Sequence, residues 1–370
     1  METNLHPLWA IGLESDTAIS GVDAALIKTD GVDIFECKTT ISRPYSPAMR
    51  EAITAVLGEE GQQNFEYLKQ VEDELTDFHI SIVQELLDKE NISPRQVDVI
   101  GFSGHTVLNR PEQKLSVQIG DAQKMLNAFG IPVVNRFYQA DLLSGGQGAP
   151  IFPVYYEALS RKLPKPLVIF SIGGIASITY IGLNGELIAF DAGPGNMLID
   201  KWMQERLGAE MDFDGLWAEK GQIDERLLHK LMQHPAILKN PPKALERQDF
   251  QNFLTDVDGS SIADGAATLT ALTTKTLVLS CEKYLPEKPE LYIATGGGAY
   301  NPTMIKYLKQ HLNAPLKTAN EVGWDTMSID AQSFAFLAVR SLFSLPITYP
   351  TTTGVEFPLS GGKIWKNQKN

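Results

Sequence analysis

Residues 167–200 read LVIFSIGGIASITYIGLNGELIAFDAGPGNMLID, and they repeat a pattern that opens the chain. An apolar run at 167–170 meets the pair Gly173-Gly174. A second run, 176–181, turns at Leu183-Asn184-Gly185 into a third, 186–190, which ends on Asp191. Asn-Gly between two apolar runs is a strong hairpin signal. Residues 8–36 follow the same plan, with a small-residue turn over 12–21, a strand at 22–27 and a turn at Asp30-Gly31 before a third strand. Placing Leu8 on Leu167 keeps the order strand, turn, strand, turn, strand over about thirty residues, the mark of an internal repeat. Two such units, each starting a half of the chain, predict a duplicated α/β protein of two lobes with a central cleft, where ligands of such proteins usually lie. The flexible run Ser144-Gly145-Gly146-Gln147-Gly148-Ala149-Pro150 marks the expected boundary, with lobes at 1–145 and 146–370.

Between and after the repeats, apolar spacing near the helical period predicts helices at 47–57, 64–87, 122–129, 197–207, 224–232, 249–254, 260–284, 302–312 and 328–342. Strands are expected at 97–102, 115–119, 133–134 and 291–294, and the tail from Thr351 is expected to wrap a surface. A chain of 370 residues is long enough for two cores. Its net charge of −13 argues against nucleic acid or an anionic membrane as partner. Cys37 and Cys281 stand far apart, outside any CxxC or Cys/His cluster, which excludes a disulfide framework or zinc site by spacing and fits a reducing compartment. The N-terminus lacks a basic region followed by an apolar core, and apolar runs fall short of the roughly 20 residues a membrane span needs. A cytoplasmic protein is expected.

Four strand-to-glycine turns stand out, at Gly12, Ser103, Gly173 and Gly296, with Asp121 and Asp191 at strand ends. Bare backbone N–H groups at such turns suit phosphate. Each taken singly also fits a tight bend, and the last part of the repeat fits a plain β-meander with a helix cap at Asn196. Strict nucleotide fingerprints are missing: GxGxxG does not occur, and Gly361-Gly362-Lys363 lacks P-loop spacing. Gly101-Phe102-Ser103-Gly104 resembles a nucleophile elbow, but His105 stands where its second glycine is required. No histidine spacing offers a metal cage, so a metal ion is expected only as magnesium carried by a nucleotide.

The chain resembles the anhydro-N-acetylmuramic acid kinases, of the actin, sugar-kinase and Hsp70 superfamily, from Trp9 to about Pro358. The matching blocks are Gly12-Leu13 with Gly21-Val22-Asp23, Arg110-Pro111, Gln118-Ile119-Gly120-Asp121, the run 145–150, Gly173-Gly174-Ile175-Ala176, Phe190-Asp191 with Gly193-Pro194, Gly296-Gly297-Gly298-Ala299, and 331–338. The resemblance implies a duplicated actin-like, ribonuclease H-like α/β fold and a cytoplasmic homodimer. It also implies an ATP- and magnesium-dependent kinase of cell-wall recycling that opens the 1,6-anhydro bridge of a sugar and phosphorylates O6. Asp191 would be the catalytic base that deprotonates the water attacking C1. Gly12, Ser15, Thr17, Gly21, Asp23, Gly173, Gly174, Gly193, Gly296, Gly297 and Gly298 would hold the nucleotide. His105, Arg110, Gln118, Arg136, Asp141, Gln147 and Asp330 would face the sugar.

The chain departs from the family pattern at Asp16, where a glycine is expected, and at Ser20, where an aspartate is expected. Arg136 and Tyr138 stand for Asp and Arg, Ser171 and Ser177 for asparagines, Asp330 for a glutamate, and Ala244-Leu245-Glu246 for Ser-Thr-Gly. Asp16 adds bulk and charge to the first phosphate loop, which predicts weak Mg·ATP binding. An altered or inactive relative that binds or hydrolyses a related sugar without efficient phosphoryl transfer is therefore the alternative reading.

Overall fold

The computed structural model describes residues 5–15 and 18–367, and it divides into two units. One runs to Arg161 and takes back the chain from Met327 onward; the other is Lys162–Thr326. The division thus falls at 161/162 rather than 145/146, and the C-terminal segment belongs with the first unit.

In the first unit β1 (Leu8–Ser15), β2 (Gly21–Thr29) and β3 (Ile34–Pro44) form an antiparallel meander. β4 (Val99–Phe102) lies parallel beside β1. The strands β5 (His105–Arg110) and β6 (Leu115–Ile119) pair into a separate hairpin, and β7 (Val133–Asn135) returns parallel to β4. The second unit repeats this. β8 (Leu167–Ile172), β9 (Ile175–Ile181) and β10 (Leu187–Pro194) are the meander, and β11 (Leu291–Thr295) and β12 (Leu316–Thr318) follow in parallel on the other side of β8. Both sheets therefore run third, second, first, fourth, fifth in their own strand order. That shared order is the duplicated α/β fold expected from the repeat, in the actin-like, ribonuclease H-like form that the resemblance implies.

Helices start where short polar side chains can cap them. Ser46, Asn64, Asp121, Ser261 and Asn301 each accept the backbone N–H three residues on. Asp121 is thereby a structural cap. In the first unit the core gathers Ile11, Leu26, Val83, Ile100 and Phe102, and in the second Phe170, Ile178, Phe190, Trp202 and Leu272. The helix Ile329–Leu342 lies on β1 and β4 so closely that a Cβ on Gly12 would sit 1.8 Å from the Ala331 carbonyl oxygen. A Cβ on Gly101, paired with Gly12 across the sheet, would sit 2.2 Å from that of Phe334.

Three local expectations change. The run 144–150 is pinned: Asp141 Oδ1 accepts the Gly148 N–H at 2.7 Å, and the Gln147 N–H donates to the Thr353 carbonyl at 2.8 Å. The tail adds a strand, Lys363–Trp365, to the edge of β7. Residues 249–254 form a 3-10 turn, Arg247–Phe250, followed by a short helix, Phe253–Val257.

Candidate active site

In the second unit a polar row crosses four strands. Asp191 on β10 stands opposite Ser177 on β9, which stands opposite Ser171 on β8, which pairs with Thr295 on β11. Cross-strand partners share a face of the sheet. The row sits at the end of the sheet from which the glycine turns spring: Gly173-Gly174 joins β8 to β9, and Gly296-Gly297-Gly298 follows β11. Gly296 has a φ of +77°, and a Cβ there would meet the Ile172 carbonyl at 2.8 Å, so only glycine fits.

Asn196 is bound to the first of these turns. Its side chain does not cap the helix Met197–Leu207, as a plain β-meander would have it; the Nδ2 group donates to the Ile172 carbonyl at 3.2 Å. The backbone N–H groups of Gly195 and Asn196 donate to the carbonyls of Gly174 and Gly173 at 2.9 and 2.8 Å. Those carbonyls are occupied, and what the turn leaves open is the space above the Cα atoms. A Cβ on Gly173 would meet nothing nearer than 3.7 Å. One on Gly174 would meet Arg247 Nη2 at 3.8 Å, and one on Gly297 the Asn196 amide at 3.3 Å. A bare backbone with a guanidinium and an amide beside it fits the phosphates of a nucleotide. Gly193 serves packing instead. A Cβ there would strike Thr276 Oγ1 at 2.8 Å, so the glycine admits the helix Ile262–Tyr284 against β10.

Asp191 is half-buried. Its Oδ2 accepts the Leu245 N–H at 2.8 Å, and its own N–H donates to the Lys243 carbonyl at 3.1 Å. Desolvation pushes its carboxyl up to about 7, against the Leu245 hydrogen bond and the charge of Lys243, with Asp249 adding a smaller push upward. Asp200, in the first turn of the helix Met197–Leu207, is also pushed up to about 7 by desolvation, opposed by Arg247. Lys243 and Arg247 are additions that only the structure reveals. A buried lysine and an arginine over a turn leave no mark in a single sequence; the one pointer is that they flank Ala244-Leu245-Glu246, a departure from the family pattern.

The remaining expected residues lie in the first unit. Ser15, the last residue of β1, hydrogen-bonds through Oγ to Tyr45 Oη at 2.6 Å and to His105 Nδ1 at 2.8 Å, and all three are buried. Tyr45 is a third partner that sequence reading missed. Gly12 is inside β1 rather than at a turn, and Gly21 admits β3, whose Arg43 carbonyl would lie 2.2 Å from an added Cβ. Asp23, on β2, pairs with Glu14 on β1 and with Ser42 on β3. Arg110 forms an ion pair with Glu59 at 3.8 Å, and half-buried Gln118 donates to Ser116 Oγ at 2.6 Å. Arg136 is exposed on a left-handed backbone, φ +53°, while half-buried Tyr138 is held above the usual tyrosine range by desolvation and then by Glu14 and Asp330. Asp330 is exposed and Gln147 half-buried. Asp141 is 2% exposed with both carboxylate oxygens engaged, by the Gly148 N–H and by Thr353 Oγ1 at 2.5 Å. Asp16 and Thr17 lie outside the described residues.

The model of the family described as "Anhydro-N-acetylmuramic acid kinase" matches residues 8–367. This chain belongs to that family. A relative of that name from Rhodospirillum rubrum is 41% identical over 97% of this chain and 94% of its own length. Another from Rhodopseudomonas palustris is 43% identical over 96% and 98%. Among solved structures, component A of (R)-2-hydroxyglutaryl-CoA dehydratase from Acidaminococcus fermentans covers 90% of this chain and 98% of its own, at 10% identity and a TM-score of 0.46.

Proposed function

We propose that the chain is an ATP-dependent carbohydrate kinase that opens the 1,6-anhydro ring of N-acetylmuramic acid and phosphorylates O6 in cell-wall recycling. The observation that carries this is Asp191: a half-buried carboxylate with one oxygen held by a backbone N–H, on the edge strand of a sheet whose β8 and β11 run into two glycine turns that leave room for phosphates. Family membership over nearly the whole chain supports the substrate.

Asp191 acts as general base, taking a proton from the water that bonds to C1. The C1–O6 bond breaks, the released O6 bonds to the γ-phosphorus, and the bond from that phosphorus to the bridging oxygen breaks as ADP leaves. Nucleotide with its magnesium supplies the γ-phosphoryl group. Gly173-Gly174 and Gly296-Gly297 hold the phosphates by backbone approach, with Arg247 offsetting their charge. Ser15, set by Tyr45 and His105, and Asp23 also serve the nucleotide in this proposal. Arg110, Gln118, Arg136, Gln147 and Asp330 serve the sugar, and Arg136 offers a forked donor for its lactyl carboxylate. Among the described residues no helix is long and apolar enough to cross a membrane. A cytoplasmic homodimer is part of the same proposal and rests on the family resemblance.

To test this, the purified protein is incubated with Mg·ATP and 1,6-anhydro-N-acetylmuramic acid, and ADP release and product mass are followed together. The expected result is one ADP released per ring-opened 6-phosphate sugar. ADP release without a phosphorylated sugar would support the altered relative instead.

A further inference from the structure

Lys243 lies at 0% exposure, and its Nζ donates to the carbonyls of Ala192 at 3.2 Å and Ile237 at 2.9 Å. Burying an ammonium is costly unless charge and hydrogen bonds compensate, and two neutral carbonyls compensate only in part. The opposite charge that favours it is Asp191. The backbone makes the pairing specific: the Asp191 N–H donates to the Lys243 carbonyl, the Leu245 N–H donates to Asp191 Oδ2, and Lys243 Nζ binds the carbonyl of the residue after Asp191. The segment 243–245 thus grips residues 191 and 192 through main chain and side chain together.

We infer that Lys243 is the positioning residue for Asp191, gripping β10 beside it and, by its buried charge, keeping the carboxylate available in ionised form. This rests on the reading of Asp191 as the base. The charged groups facing Asp191 are Lys243 and Asp249; those facing Lys243 are Asp191, Lys239 and Lys283. Desolvation and then its lysine neighbours lower the ammonium to about 8, and Asp191 raises it. With the Lys243 charge removed, Asp191 keeps its desolvation and the repulsion of Asp249, so its carboxyl moves further up.

Lys243→Gln keeps a donor and removes the charge. The acid limb of its kcat/KM profile against pH should move up by about one unit, so that kcat/KM near pH 6 falls about tenfold and the loss narrows above about pH 8. An equal loss at every pH would overturn the inference. A second readout does not need turnover: urea midpoints of wild type, Lys243→Gln, Asp191→Asn and the double variant. Lys243→Gln should cost more stability in the wild-type background, where the carboxylate is present, than in the Asp191→Asn background; additive costs would overturn the pairing. If Lys243→Gln does not fold, Lys243→Arg keeps the charge and should leave the acid limb where it is in the wild type; an upward shift there overturns the inference. Turnover that survives Asp191→Asn would remove the base reading while the urea comparison still judges the pairing. An inactive Asp191→Asn with additive midpoints would remove the inference alone.

Discussion

At the scale of single residues, Asp191 sets a measurable link between pH, stability and rate. Its ordinary value is 3.8, and in the fold desolvation holds it at about 7, so the native state prefers the protonated carboxyl. The stability from that preference is present in full below about pH 4 and is lost as pH rises through about 7. Activity runs the other way, because a base must be ionised. Asp191→Asn should lower kcat by about 10²–10⁴-fold and flatten the decline of the urea midpoint between about pH 4 and 7. Asp200, also pushed up to about 7, keeps part of that decline in the variant; a decline as steep as the wild type's would assign the titration to another group. The Tyr45–Ser15–His105 chain makes a second residue-scale prediction. His105→Ala removes the buried partner of Ser15 Oγ and should cost about 1–3 kcal/mol in urea unfolding; a change within a few tenths would show the chain to be incidental.

At the scale of elements, the helix Ile329–Leu342 rests on β1 and β4 only because Gly12 and Gly101 have no side chain. Gly12→Ala would press a methyl group into the Ala331 carbonyl, and helix and sheet would have to part. About 3 kcal/mol or more of lost stability is expected, at the upper end for overpacking, and thermal unfolding checks it. A neutral result would mean that the helix shifts freely on the sheet. Asp141 plays a similar part for the loop 144–150. Asp141→Ala leaves the Gly148 N–H and the Thr353 hydroxyl without their carboxylate, so a cost of about 3 kcal/mol is expected. Hydrogen exchange should quicken at Gly148 more than in β8 or β9, and uniform quickening would argue against a local tether.

At the scale of the whole molecule, the first unit closes only when the chain returns after the second. Phe334, Phe336 and Leu337 on the returning helix are fully or nearly fully buried, and Lys363–Trp365 completes the sheet edge at β7. A chain stopped after Thr326 should therefore lose the cooperative unfolding of the first unit while the second keeps its own core. Circular dichroism melting of the shortened protein tests this. An undiminished first transition would show that the meander and the helix Phe65–Glu90 suffice without the return.

Much was legible in the sequence because it is written locally. Alternation marks strands, the helical period marks helices, and Asn184-Gly185 marks a hairpin, each within a few residues. From these came the repeat, the duplicated fold, and Asp191 on the third strand of the second repeat. The tertiary structure decided what depends on residues far apart in the chain. Thr353 reaches Asp141 across 212 positions, and Lys243 reaches the carbonyl beside Asp191 across 51. Gly12 looked like a turn glycine and proved to be a seat for a helix more than three hundred positions later. Charge and hydrogen-bonding capacity are properties of a residue, but whether a carboxylate meets water, a backbone N–H or a buried ammonium is settled only by packing.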